Sequence, residues 1–162
     1  SLLLYREVNF KESDKMKIII GNDHRGLKLK EQILKYLLSK NYDVENIGTD
    51  TDASVNYPEY ALKLCEKVKK ENGLGILICG TGIGMSIVAN KVNGIICGKV
   101  NTVEEAELTK SHNYANVIAL SSKLSKRTAI KMVETFIKTP NSNEERHIKR
   151  VQEIREIEKN NA

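Results

Sequence analysis

The part of this chain best suited to chemistry is the run Cys79-Gly80-Thr81-Gly82-Ile83-Gly84, a thiol that opens a glycine-rich turn. The apolar residues from Gly75 to Cys79 read as a strand, and the residues behind Gly84 read as a helix through Lys91. Glycines let the backbone aim several N–H groups at one point, and the following helix adds its positive end, so such a turn stabilises an anion or a developing oxyanion. The same surroundings favour a thiolate at Cys79, which could act as a base or a nucleophile. A small buried residue at a crowded turn fits that spacing equally well. A second loop of this kind, Gly21-Asn22-Asp23-His24-Arg25-Gly26, follows the apolar run Ile18-Ile19-Ile20.

Spacing excludes the common labels for such loops. A dinucleotide fingerprint needs a third glycine where Met85 stands, a Walker loop needs a Lys before Ser or Thr, and a Cys-x5-Arg phosphatase loop needs Arg in place of Met85. Cys65, Cys79 and Cys97 form no Cys-x-x-Cys pair and no zinc spacing with the histidines, so neither a disulfide framework nor a metal site is expected. His24 and His112 sit at element ends, where a histidine can be functional or simply comfortable. Arg146 and Arg150 lie i, i+4 on one helix face, beside His147, and two guanidinium groups so placed can converge on one phosphate. A solvated face paired with neighbouring glutamates has the same pattern.

The elements that must position these residues alternate between short apolar runs and helix-period segments. That is the pattern of a parallel sheet wound with helices. Strands are expected at Ile18–Ile20, Val44–Ile47, Gly75–Cys79, Gly94–Val100 and Asn116–Leu120. Helices are expected at Leu27–Lys40, after Pro58 with Ala61, Leu64, Cys65 and Val68 on one stripe, and behind the capping box Thr102–Glu105 as far as Asn113. A further helix buries Ala129, Met132, Val133, Phe136 and Ile137. After the linker Thr139–Asn143 comes a last one, whose stripe Ile148, Val151, Ile154 and Ile157 must be covered by this domain or by another subunit. In an open parallel sheet, ligands bind beyond the carboxyl ends of the strands, which is where both glycine loops fall.

The chain has 162 residues, 40% of them hydrophobic and 29% charged, with 10 Gly and 2 Pro, which suits one folded domain and excludes fibres and disorder. Its net charge of +5 is scattered, and the tail from Glu144 balances basic against acidic residues, so an anionic small ligand is expected and a nucleic-acid partner is not. No run approaches a membrane span, and Leu2–Tyr5 is too short for a signal-peptide core, so a cytoplasmic location is expected. Residues 1–15, ahead of Met16-Lys17, read as a tag remnant or N-terminal extension, and 16–162 as a single domain.

Taken in order, Gly21-Asn22-Asp23-His24, Tyr57-Pro58, Ile78-Cys79-Gly80-Thr81-Gly82-Ile83-Gly84 with Ala89-Asn90-Lys91, His112-Asn113 with Ala115-Asn116-Val117, and Arg146-His147 with Arg150-Val151 resemble the type B ribose-5-phosphate isomerases. That family also holds the galactose-6-phosphate isomerase subunits. The resemblance runs from Met16 to about Asn160. It implies a Rossmann-like, doubly wound, five-stranded parallel sheet in three α/β/α layers with an extra C-terminal helix. It also implies a homodimer or homotetramer with active sites shared between subunits, and an aldose–ketose isomerase of the pentose phosphate pathway.

By the same resemblance, Cys79 would move the proton through a cis-enediolate, with Thr81 and the amides of Gly80, Gly82 and Gly84 holding the oxyanion. His112 of a partner would open the sugar ring, Asp23 and Asn113 would hold hydroxyls, Tyr57 would line the pocket, and His24, Arg146 and Arg150 would bind phosphate. No metal or organic cofactor is implied. Lys110, Tyr114, Lys123 and Ile96 depart from the family pattern, Tyr114 being the one whose bulk could reshape the sugar pocket. The alternatives are a six-carbon substrate, such as allose or galactose 6-phosphate, and a phosphosugar-binding module without turnover.

Overall fold

A computed structural model describes residues 16–161, so the expectations for residues 1–15, Leu2–Tyr5 included, lie outside the described residues. Five strands form one parallel sheet in the order β2-β1-β3-β5-β4: β1 Lys17–Asn22, β2 Asp43–Asn46, β3 Leu74–Cys79, β4 Cys97–Lys99 and β5 Val117–Ser121. The helices are α1 Leu27–Ser39, α2 Tyr57–Glu71, α3 Ile83–Asn90, α4 Val103–Ser111, α5 Lys126–Lys138 and α6 Glu145–Asn160.

Alternation along the strands divides the core in two. Ile18, Ile20, Ile76, Ile78, Ile118 and Leu120 face α1, α4 and α5, where Leu29, Ile33, Ala106, Met132 and Phe136 meet them. Ile19, Leu77, Cys79, Val117 and Ala119 face α2 and α3, against Ala61, Leu64, Cys65, Met85 and Ala89. Both faces are covered, which is why β1 and β3 read as continuous apolar runs. Each fully buried Ile or Leu contributes ~1.5–3 kcal/mol relative to exposure, so these layers supply most of the driving force.

Local signals set the ends of the helices. Pro58 stands in the first turn of α2, and Asn72, at φ 49°, closes that helix in the left-handed region. The Thr102 hydroxyl accepts the Glu105 N–H at 3.1 Å, while the Glu105 carboxylate reaches back to the Asn101 N–H, one residue earlier than a full capping box would place it. The expected strand Gly94–Val100 is cut to three residues; just ahead of it the Asn116 side chain takes the Ile96 N–H, and at its first residue the Asn90 side chain takes the Cys97 N–H.

A strand runs toward the carboxyl edge of the sheet and the following helix returns to the amino edge. That geometry sets where each candidate residue can stand. Cys79 ends β3 at the carboxyl edge. His112 follows the C-terminus of α4, and the Asn116 carbonyl just beyond it accepts the N–H of Gly75, level with the start of β3. Gly75 and Cys79 are therefore separated by about 13 Å of strand, with His112 at the far end of it. On α6, Val151 is buried while Ile154 and Ile157 are 38% and 59% exposed, so one chain covers only part of the apolar stripe.

Candidate active site

The chain leaves β1 toward β2 and returns to place β3 on the other side of β1, so the strand order reverses between β1 and β3. There the two glycine loops meet, the Asp23 N–H donating to the Ile78 carbonyl at 3.1 Å. They enclose a cleft of about 300 Å³ whose lining includes Asp23, His24, Tyr57, Cys79, Thr81 and Gly84. Two lining residues that the sequence did not single out, Arg25 and Val55, complete the walls beside Gly80.

Each group in the cleft is held by a local bond. Cys79 is 4% exposed, and its sulfur accepts the Gly82 N–H at 3.1 Å. Gly82 caps α3 at φ 79°, and a Cβ there would lie 3.0 Å from the Leu120 carbonyl carbon, so both conformation and space require glycine. The Thr81 hydroxyl accepts the Ile83 N–H at 3.1 Å and keeps its own proton to donate. A Cβ on Gly84 would stand 2.6 Å from Cζ of Tyr57, so the phenol lies directly on the first turn of α3.

Opposite, Oδ1 of Asp23 accepts from the N–H groups of Arg25 at 3.0 Å and Gly26 at 3.1 Å, which fixes the turn that carries His24. Nδ1 of His24 accepts the Val55 N–H at 3.2 Å, so the neutral ring carries its proton on Nε2 and offers a donor there. Lys30 supports this wall and was missed in the sequence because it reads as a solvated charge next to the apolar stripe of α1. It is fully buried, and its ammonium donates to the Thr49 carbonyl at 3.0 Å and to Oδ1 of Asn46 at 3.3 Å, and pairs with Asp50 at 2.5 Å. Those bonds pin the loop after β2, which carries Val55 to His24. The hydrogen bonds from Lys30 and Asn46 hold the Asp50 carboxyl below its ordinary value.

His112, Asn113, Arg146 and Arg150 line no part of this cleft. They gather at the amino edge, where the His112 and His147 rings stack with centroids 4.0 Å apart. Arg146 Nε donates to Nε2 of His147 at 3.4 Å, so Nδ1 holds the proton and faces the Ser142 hydroxyl at 2.9 Å. Tyr114 takes φ 57° with its hydroxyl donating to the Ser142 carbonyl, and the Lys110 ammonium donates to the carbonyls of Phe136 and Thr139. Two of the unusual residues thus tie the α5–α6 linker to the end of α4.

Burial above all, then the neighbouring His112 and Arg146, holds the His147 imidazole below its ordinary value of 6.5. Its contribution to stability is complete above pH 6.5 and is lost as pH falls through the depressed folded value, because the unfolded chain then binds the extra proton. Titration of the imidazole resonances should place His147 below an unfolded-peptide histidine, and His147→Gln should flatten the loss of melting temperature as pH falls below 6.5. A His147 that titrated above the peptide value would refute this account of the cluster.

Ribose/galactose isomerases are described by a family model that matches residues 18–154. The chain belongs to that family. A probable ribose-5-phosphate isomerase B of Mycoplasma genitalium is 40% identical over 146 residues, covering 88% of this chain and 95% of that protein. The solved Clostridium thermocellum ribose-5-phosphate isomerase B superposes with a TM-score of 0.87 at 41% identity, covering 91% of this chain and all of that one. A ribose-5-phosphate isomerase B from Mycoplasma genitalium, solved with bound ribulose-5-phosphate, superposes at 0.84 with 40% identity, covering 89% and 97% of the two chains.

Within this isomerase family member the three thiols differ in what surrounds them. Burial, reinforced by Glu66, pushes Cys65 up to about 12, and burial raises Cys97 as well, so both stay protonated near neutrality. Only the Cys79 sulfur among the three opens on the cleft. Iodoacetamide at neutral pH should therefore alkylate Cys79 first, and peptide mass mapping should show activity falling in step with that single modification. Loss of activity that tracked Cys65 or Cys97 would contradict the assignment.

Proposed function

We propose that this chain is a cofactor-independent aldose–ketose isomerase that interconverts ribose 5-phosphate and ribulose 5-phosphate. The observation that carries the reading is a thiol at the strand-order reversal, facing a cleft beside a hydroxyl donor and the start of a helix. On the open-chain aldose, the Cys79 thiolate takes the proton from C2, leaving a cis-enediolate whose oxygens are held by the Thr81 hydroxyl and the amides of the Gly80–Gly84 loop. The thiol returns that proton to C1 while the hydroxyl proton on C2 passes to the oxygen on C1, which leaves a carbonyl at C2 and a hydroxyl at C1 and gives the ketose. Asp23 holds a sugar hydroxyl and Tyr57 walls the sugar on the side of α3, while Nε2 of His24 donates to the phosphate.

His112 would open the sugar ring, Asn113 would hold hydroxyls, and Arg146 and Arg150 would bind phosphate. From the opposite edge of the sheet they reach such a cleft only on a second copy. A face for that copy exists at the cleft rim, where Ile83 and Ile87 on α3 are 52% and 56% exposed at i, i+4 spacing. A homodimer, or a tetramer built from it, completes the site.

Turnover on five- and six-carbon aldose phosphates tests the assignment. The largest kcat/KM should belong to ribose 5-phosphate. Preference for allose or galactose 6-phosphate would move the substrate to six carbons, and binding of all of them with no turnover would replace the enzyme by a phosphosugar-binding module.

A further inference from the structure

We propose that Arg25 binds the substrate phosphate from this chain's own side of the cleft, as a specificity residue distinct from the arginines of α6. The inference rests on reading the cleft as the isomerase site. Among the described residues Arg25 is the one Lys or Arg that lines the cleft, so it is the full positive charge that the chain supplying Cys79 places in the cleft wall. Arg146 and Arg150 stand on α6, which begins at the opposite edge of the sheet.

Three features hold Arg25 ready for an anion. Its backbone N–H is fixed by Oδ1 of Asp23 at 3.0 Å, in the same turn that presents His24. Its side chain lies across Gly80, where an added Cβ would sit 3.0 Å from Cδ and 3.3 Å from Nη1, so the absence of a side chain at position 80 leaves room for the guanidinium. It forms no ion pair among the described residues, whereas Arg146 is already paired with Glu144 at 2.8 Å. A planar guanidinium with no internal partner suits bidentate capture of a phosphate. The reacting carbons, by contrast, have donors of their own in the loop after β3.

The test is steady-state kinetics of Arg25→Ala and Arg25→Lys on ribose 5-phosphate, together with inhibition by inorganic phosphate. Arg25→Ala should raise KM and the inhibition constant of inorganic phosphate together by about 10-fold or more, with kcat within roughly twofold, since the lost bond is uniform binding. Arg25→Lys should fall between, keeping the charge without the fork. Because Arg25 is exposed, melting temperature should not move. Unchanged KM and phosphate inhibition would overturn the proposal. So would a fall in kcat at constant KM, which would place Arg25 on the enediolate. If the unaltered protein turned over no sugar phosphate, the isomerase reading would fail instead, and calorimetric titration of both proteins with inorganic phosphate would still decide whether Arg25 is an anion ligand: equal affinities would refute it.

Discussion

Cys79→Ala is expected to abolish isomerisation while the protein still binds a sugar phosphate almost as tightly as the unaltered chain. A general base acts in the transition state, so its removal lowers the rate by ~10²–10⁴-fold and leaves ground-state contacts in place. Those contacts belong to other residues: Nε2 of His24, the Asp23 turn, Thr81 and the Tyr57 ring. The Cys79 side chain is small and its sulfur hydrogen-bonds to the Gly82 N–H, so its loss should not disturb the turn, which the positive φ of Gly82 and its close approach to Leu120 hold independently. Calorimetry with ribulose 5-phosphate measures the affinity, and an aldose–ketose assay measures the rate.

Cys65→Ala and Cys97→Ala supply the contrast. Both sulfurs fill the core between the sheet and α2–α3, so each variant should lose about 1 kcal/mol of stability and keep its kcat. If Cys79→Ala retained the rate of the unaltered protein, Cys79 would be one more core residue and the proposed chemistry would have no base.

Much of the arrangement was legible before any coordinates. The apolar run of β3 ending at Cys79 implied a buried parallel strand, and glycines 80, 82 and 84 implied a turn that aims its amides at one point; that a side chain at Gly82 or Gly84 would also collide with Leu120 or Tyr57 is visible only in the fold. Periodicity located α2 and α5 because their stripes are wide and uninterrupted. β4 was harder to delimit, because the Ile96 N–H just ahead of it bonds to the side chain of Asn116, 20 residues away, which no local pattern shows.

Lys30 escaped notice for a different reason. Its worth depends on Thr49 and Asp50 lying over the end of α1, a tertiary fact that no local pattern encodes. The stack of His112 on His147 likewise depends on how the α5–α6 linker folds back, through the Ser142 N–H to the Ser111 carbonyl. Tyr114, whose bulk suggested an altered sugar pocket, points into that linker.

Mixing two dead proteins should restore activity. His112→Asn alone should be severely slowed on ribose 5-phosphate, which is mainly a closed ring, and much less on ribulose 5-phosphate, which cannot close the same ring. That asymmetry would separate ring opening from proton transfer, since Cys79→Ala should be equally dead in both directions. The stronger consequence comes from the sheet. Cys79 stands at its carboxyl edge and His112 at its amino edge, so a site that uses both draws them from different chains. When Cys79→Ala and His112→Asn subunits exchange freely at equal concentration, about half the dimers are mixed, and each of those has one site with both intact residues and one with neither. About a quarter of all sites, and hence about a quarter of the unaltered rate on ribose 5-phosphate, should return. Native mass spectrometry, with one variant isotopically heavy, establishes that exchange has occurred. Recovery should follow the mixed-dimer fraction through any mixing ratio, peaking at equal amounts. If mixed dimers formed and stayed inactive, the two residues would not meet across a subunit boundary, and either His112 would have no part in the reaction or the shared site would not exist.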